Sequence, residues 1–167
     1  LAPRGWDVSL CDDAVEEIDF NTPVDVVAIT IRTVTSLRGY EIADEFRRRG
    51  VTVVIGGPHA TFNAEEVAAH ADAVCVGEAE GIFARMLEDA AAGRLQKFYR
   101  RPDQASLAGI PSPRWDLIKP ENYVFYRPYV ILASRGCPYT CDFCAERRLQ
   151  GDHGFRARPA WDVAAEV

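Results

Sequence analysis

Three short runs of apolar, largely β-branched residues, at 24–31, 51–55 and 73–76, each lead through a turn into residues with helical periodicity. That alternation constrains the fold more than any other feature. The run 24–31 (Val-Asp-Val-Val-Ala-Ile-Thr-Ile) is nearly continuous in apolar character. It predicts a strand covered on both faces, as in a parallel sheet. After it, 33–36 offers hydroxyl caps for a helix with Leu37, Tyr40, Ala43 and Phe46 on one face, Arg47, Arg48 and Arg49 in its last turn, and Gly50 at its stop. The strand 51–55 is broken by Gly56-Gly57-Pro58. Asn63 with Glu66 three residues on reads as a capping box opening a helix to about residue 70. The strand 73–76 runs into Gly77-Glu78-Ala79-Glu80-Gly81, and a helix with Ile82, Phe83, Met86, Leu87 and Ala90 on one face closes at Gly93. The expected class is α/β, a doubly wound parallel sheet.

Outside this core the pattern weakens. Residues 1–5 read as a helix end and its exit turn, because Gly5 follows the last turn, and 6–10 as a short strand. With no initiator methionine, the chain is expected to be a piece of a longer protein. Residues 96–127 have no periodicity and are punctuated by Pro102, Pro111, Pro113 and Pro120, with Pro128 just beyond, the composition of a linker. A strand is expected at 129–133 and a helix from 160, with Pro159 near its first turn. The implied organisation is a first domain at 1–95, a linker at 96–127 and the start of a second domain at 128–167.

The second domain carries the densest chemistry. Cys137, Cys141 and Cys144 fall within eight residues, spaced C-x3-C-x2-C. Three soft sulfur ligands favour zinc or an iron–sulfur cluster over magnesium or calcium. Structural zinc needs a fourth ligand, and His153 sits at no familiar zinc spacing. A cubane cluster normally takes four thiolates, so three would leave one iron open. Cys11 and Cys75 lie in apolar runs and are expected to be buried small hydrophobes. Crowded cysteines suit metal binding in a reducing, cytoplasmic compartment better than a disulfide framework.

The net charge of −6 argues against a general nucleic-acid binder. Arg135, Arg147, Arg148, Arg156 and Arg158 nevertheless gather around the cysteines, either as a solvated face or as a positive field for an anionic ligand. No run approaches the ~20 apolar residues of a membrane span, and no signal-peptide pattern opens the chain.

Ligands of open parallel sheets sit beyond the carboxyl ends of the strands, at a switch in strand order. Three loops leave strands at that edge: 30–36, 56–59 and 77–80. Paired glycines there either admit a bulky ligand to the backbone or make a tight turn needing positive φ. No G-x-G-x-x-G or Walker pattern is present.

The cysteine spacing, with Phe143 just before the last cysteine, resembles the signature of the radical SAM enzymes. Arg135-Gly136-Cys137-Pro138 and Phe155-Arg156-Ala157-Arg158-Pro159 resemble that family's usual context. The first domain is similar to the cobalamin-binding domain that precedes one large class of these enzymes. Thr30 matches the hydroxyl of its S-x-L element, with Thr33 and Thr35 in the same loop. Gly56 and Gly57 match its paired glycines, and Gly77 and Glu78 its last loop. Arg32 departs from the leucine of S-x-L. Pro113-Arg114-Trp115-Asp116-Leu117 reads like the bridge between the two domains.

The resemblance implies a flavodoxin-like cobalamin domain followed by the first βα unit of a partial TIM-type barrel. It also implies a [4Fe-4S] cluster on Cys137, Cys141 and Cys144, S-adenosylmethionine with Phe143 near its adenine, and cobalamin on Thr30, Thr33, Thr35, Gly56, Gly57, Gly77 and Glu78. The implied activity is reductive cleavage of S-adenosylmethionine to a 5′-deoxyadenosyl radical, with methyl transfer to an unactivated carbon of a small molecule. A flavodoxin or ferredoxin would supply the electron. A cyclisation or rearrangement enzyme with a vestigial corrinoid domain, and a non-catalytic corrinoid- or metal-binding module, remain the alternatives. The D-x-H-x-x-G element that supplies a cobalt ligand in many cobalamin proteins is absent, so His59, in a solvated loop, is the remaining histidine in a candidate ligand loop. In the resembling topology one strand is missing inside the sheet, between 6–10 and 24–31. The piece is therefore expected to be inactive and poorly folded when made alone.

Overall fold

The computed structural model describes residues 1–101, 106–123, 130–149 and 154–167. Four parallel strands form the main sheet in the order β1-β2-β3-β4: β1 Val26–Thr30, β2 Thr52–Gly56, β3 Ala73–Val76 and β4 Phe98–Arg100. The β1–β2 register runs from Val26 opposite Thr52 to Thr30 opposite Gly56. The apolar runs therefore did mark the sheet, and β2 and β3 are its buried centre. The strand order is consecutive, so the described sheet contains no switch point of the kind expected beside a ligand.

Successive side chains on a strand face opposite ways, and here each face meets a different helical layer. Val53, Ile55, Val74 and Val76 pack with α1 (Ser36–Arg48), α2 (Pro58–Phe62) and α3 (Ala64–Ala68) through Tyr40, Ile42, Ala43, Phe46, Ala60, Ala64 and Val67. Val54, Ala73 and Cys75 pack with α4 (Phe83–Ala91) through Met86, and with Ile82 and Tyr99. Both faces are covered, which is the doubly wound arrangement. Each fully buried Ile or Val contributes roughly 1.5–3 kcal/mol, so these two clusters hold the sheet together.

Several local expectations are corrected. Residues 1–5 form a turn without a helix, and 6–10 form no strand because nothing in the sheet pairs with them. Val8, Leu10 and Cys11 are exposed, so of the two isolated cysteines only Cys75 is the buried hydrophobe expected. β1 is an edge strand, half-buried with Ala28 and Thr30 exposed, and is not covered on both faces. Leu37 stands off the buried row Ser36–Tyr40–Ala43 and is 76% exposed.

The Asn63–Glu66 capping box does not form. The Asn63 amide turns to His59, and Glu66 accepts the Tyr40 hydroxyl proton instead. A separate short helix, α2, precedes it and starts with Pro58 in its first turn, where proline's missing N–H costs nothing. β4 lies inside the segment read as a linker. Its Tyr99 hydroxyl donates to buried Asp89 of α4 at 2.9 Å.

In the C-terminal part, Tyr129 falls outside the described residues, as do Pro102, Pro128 and His153. Residues 130–133 form no strand, and Val130, Ile131 and Leu132 are exposed. The ordered pairing is shifted onward: β5 (Ser134–Arg135) pairs antiparallel with β6 (Arg156–Ala157). α5 (Glu146–Leu149) lies between them in sequence, and α6 (Ala160–Ala164) starts after Pro159 as expected.

Gly57 has φ 101° and ψ −178°, a region essentially reserved for glycine. A Cβ there would stand 2.6 Å from the Ile31 carbonyl oxygen and 3.0 Å from Ile31 N. Gly77 also has positive φ (86°), but an added Cβ would meet nothing within 4 Å. Urea unfolding should show Gly57→Ala losing about 3 kcal/mol or more, against about 1 kcal/mol for Gly77→Ala. Equal losses would show that the close approach to Ile31 is not what requires Gly57.

Candidate functional site

The parallel strands end together, so the loops after β1, β2 and β3 meet at one edge. The structure brings Thr30, Gly56, Gly57 and Gly77 to that edge but engages most of them internally. The Ile31 N–H donates to the Gly56 carbonyl at 3.0 Å, and the His59 N–H to the Ile31 carbonyl at 3.2 Å. The space beside Gly57 is thus filled by the chain's own backbone and the Thr30 methyl, while Gly56 rests against the Cys75 Cβ. The Thr35 hydroxyl accepts from the Arg32 N–H and donates to the Arg32 carbonyl, closing the 3-10 turn Thr33–Thr35. Thr33 Oγ1 lies 3.3 Å from His59 Nδ1.

Sequence reasoning missed Thr61. Its hydroxyl donates to the Gly57 carbonyl at 3.0 Å and accepts the Gly77 N–H at 3.0 Å, tying two of the edge loops together through α2. The first of these bonds is the i to i−4 back-bond of a helical threonine, a signal present but unspecific in sequence.

His59 is buried, not solvated. Tyr40 donates its proton to Glu66 Oε1 at 2.8 Å, so the Tyr40 oxygen accepts from His59 Nε2–H at 3.0 Å. The Asn63 amide nitrogen, 3.2 Å from Nδ1, can only donate, which leaves Nδ1 as acceptor. Both ring nitrogens are committed to protein partners, so His59 presents no free lone pair to a cobalt centre. Burial, aided by the bond to Glu66, pushes the Tyr40 hydroxyl up to about 12. The Tyr40 hydrogen bond in turn holds the Glu66 carboxyl below its usual range. This network is a structural fastening of α2 to α1.

What stays open at the edge is the space beside Gly77, together with Val34 (90% exposed) and Leu37. Large apolar side chains exposed on the loop and helix start after β1 fit a bulky, largely apolar ligand better than a small polar one. Two clefts, of about 380 and 260 Å³, share Gly81 and Arg101 and lie on the β4 side. Neither is lined by Thr30, Gly56, Gly57 or Gly77.

The cysteine loop follows β5. Cys137 is half-buried, Cys141 and Cys144 are exposed, and the Cys144 N–H donates to the Cys141 carbonyl at 3.1 Å. Three thiols on one exposed turn fit a soft metal or an iron–sulfur cluster in donor chemistry. The structure does not gather them: among the described residues no three His, Cys, Asp or Glu side chains are arranged to hold a metal ion. Phe143, beside Cys144, is 93% exposed.

Of the arginines around this loop, Arg148 is exposed, whereas Arg135, Arg156 and Arg158 are neither a solvated face nor an open positive field. Arg135 pairs with Glu78 and Glu80, Arg156 with Glu78, and Arg158 with Glu166 and Asp162. Glu78, expected at a cofactor, is spent on these two arginines. Burial pushes its carboxyl up, but the hydrogen bonds from Arg156 and Arg135 outweigh that and leave it below the usual range.

The B12 binding domain family model matches residues 2–87, just over half of the chain and every edge loop described above. The chain belongs to the B12-binding domain family. That bears out the resemblance read from the sequence and the flavodoxin-like α/β class of the sheet. Among curated proteins, a bacteriochlorophyllide d C-8(2)-methyltransferase from Chlorobaculum tepidum is 38% identical over 90% of this chain and 35% of its own length. A bacteriochlorophyllide d C-12(1)-methyltransferase from the same organism is 31% identical over 95% of this chain and 35% of its own. An anaerobic magnesium-protoporphyrin IX monomethyl ester cyclase from Rubrivivax gelatinosus is 29% identical over 88% and 31%. The chain spans about a third of the length of these relatives. No helix among the described residues is long and apolar enough to cross a membrane.

The five cysteines should differ sharply in reactivity. Burial, with a smaller contribution from Glu80, pushes the Cys75 thiol up to about 11. At pH 8 its thiolate fraction is then about a hundredfold below that of an ordinary thiol. Mass spectrometry after iodoacetamide should find Cys137, Cys141 and Cys144 alkylated long before Cys75. Alkylation of Cys75 at a similar rate would mean that β3 is not buried as described.

Proposed function

We propose that this chain is the cobalamin-binding region and cluster-binding loop of a radical SAM methyltransferase acting on a small molecule. The observation carrying the reading is that one chain holds a B12-binding sheet and a C-x3-C-x2-C loop, with Arg135, two residues before Cys137, bonded to the carboxyl-edge loop of that sheet. Cobalamin would lie on the edge near Gly77, Val34 and Leu37, with Thr30, Thr33, Thr35, Gly56 and Gly57 shaping the loops beneath it. Cys137, Cys141 and Cys144 would ligate a [4Fe-4S] cluster, leaving one iron for S-adenosylmethionine. With these groups bound, the chemistry supplied is reductive cleavage of S-adenosylmethionine and methyl transfer to an unactivated carbon.

The protein's own part is placement and exclusion of water. The exposed ring of Phe143 is available to stack on a planar adenine. A one-electron donor such as a flavodoxin or ferredoxin would serve it in a cytoplasmic compartment. The domain limits are taken as 1–95, 96–127 and 128–167, with β4 belonging structurally to the sheet. Two methyltransferase relatives are named for a bacteriochlorophyllide, so tetrapyrroles are the first substrate class to test. The relative named as a cyclase favours cyclisation as the second reading.

Anaerobic reconstitution of the full-length protein tests the assignment. Alanine at Cys137, Cys141 or Cys144 should each abolish iron and sulfide uptake, whereas Cys11→Ala and Cys75→Ala should retain it. Cobalamin should bind at one equivalent in all five variants. Uptake of zinc alone, or equal loss of iron in Cys75→Ala, would overturn the cluster assignment.

A further inference from the structure

β5 and β6 place Arg135 directly opposite Arg156 in an antiparallel pair. Like charges at facing positions repel and destabilise such a pair, so a two-residue ribbon with two facing arginines is not self-sufficient. The carboxylates that relieve it come from more than fifty residues away, on the loop after β3. Arg135 Nη1 donates to Glu78 Oε1 at 2.9 Å and Nη2 to Glu80 Oε1 at 2.5 Å. Arg156 donates to both oxygens of Glu78, at 2.5 and 3.2 Å. The charges alternate in space as Glu80, Arg135, Glu78, Arg156, and all four side chains are between 14% and 19% exposed.

We propose that Glu78 is the hub of an ion-pair clasp that fixes the cysteine loop against the carboxyl edge of the B12-binding sheet, with Glu78, Glu80, Arg135 and Arg156 as positioning residues and not cofactor contacts. The clasp gains its meaning from the functional reading above, because it joins that reading's two halves. Glu78 directly follows Gly77, the open position of the edge, and Arg135 precedes Cys137 by two residues. At most about 3.6 Å of chain per residue separates each of these from the clasp, so locking the clasp locks the spacing of the two sites. The Arg101 guanidinium, donating to the Glu80 carbonyl at 2.8 Å, steadies the acidic loop from the sheet side. α5, just beyond the cysteines, also contacts α2, so the clasp is not the sole point of closure.

Hydrogen exchange read by mass spectrometry on the full-length protein decides it. Glu78→Gln, Arg135→Gln and the double variant are compared with wild type and with Asp13→Asn, which removes an exposed pair to Arg38. In each single variant, amides of 134–136 and 156–158 should exchange about tenfold faster, the scale set by a bond to a charged group. The double variant should exchange faster than either single, since Arg135–Glu80 survives in Glu78→Gln and Glu78–Arg156 survives in Arg135→Gln, and the double removes both. Amides of 52–56 in β2 should stay unchanged, as should all of these segments in Asp13→Asn. Cobalamin affinity, by equilibrium dialysis, should change less than about threefold, less than the loss of one charged hydrogen bond.

A loss of cobalamin affinity in Glu78→Gln with unchanged exchange at 134–136 would make Glu78 a ligand contact and overturn the clasp. Equal acceleration in β2 would make it a general stability element and also overturn it. Should Glu78→Gln fail to fold, Glu80→Gln, which leaves the Glu78–Arg156 pair intact, is read at 134–136 in the same way. Absence of cobalamin binding in wild type would sink the functional reading, while the exchange data would still judge the clasp.

Discussion

The structure depends on β2 and β3 being covered on both faces. Val53, Ile55 and Val74 on one side and Val54, Ala73 and Cys75 on the other are buried against separate helical layers. With no water reaching their backbones, these strands must satisfy their hydrogen bonds within the sheet. That fixes their register, and the register in turn brings three loop starts to one edge. The candidate site exists because the core forces those strand ends into line.

At that edge the chain uses its polar groups mostly on itself. Thr61 ties the loops after β2 and β3 together, the Thr35 hydroxyl closes its own turn, and His59 is locked between Tyr40, Thr33 and Asn63. Such bonds rigidify a platform at the expense of polar contacts for a ligand. What the platform then offers is bare backbone at Gly77 and exposed apolar surface at Val34 and Leu37. A large cofactor held by shape and apolar contact, in a family built to bind cobalamin, suits a surface of that kind.

The C-terminal part has a different physics. Its ribbon is two residues long on each side, and its apolar residues at 130–132 are exposed. It buries too little to hold its place by hydrophobic contact, and partly buried charge takes over. A carboxylate–guanidinium network is directional where apolar contact is not. It is therefore suited to setting an orientation between two units.

Much of this was legible in the sequence. The β-branched runs gave the three principal strands to within two residues at either end, because a strand buried in a parallel sheet must be apolar throughout. The cysteine spacing singled out three thiols on one short loop, because that pattern needs residue type and short separation alone. Other features were not local. Residues 6–10 have a strand's composition but no partner, and 98–100 gained one through Tyr99 and Asp89 inside a segment that reads as linker. The Asn63–Glu66 pattern was outcompeted by His59 and Tyr40, both distant from Glu66 in sequence or across a helix boundary. Gly57 announced a tight place without saying that Ile31 fills it. The sequence by itself determined the α/β layering, the edge loops and the clustering of three cysteines, since periodicity and residue chemistry are written along the chain. Only the tertiary structure decided that Glu78 belongs to Arg135 and Arg156, because a charge chooses its partner through space.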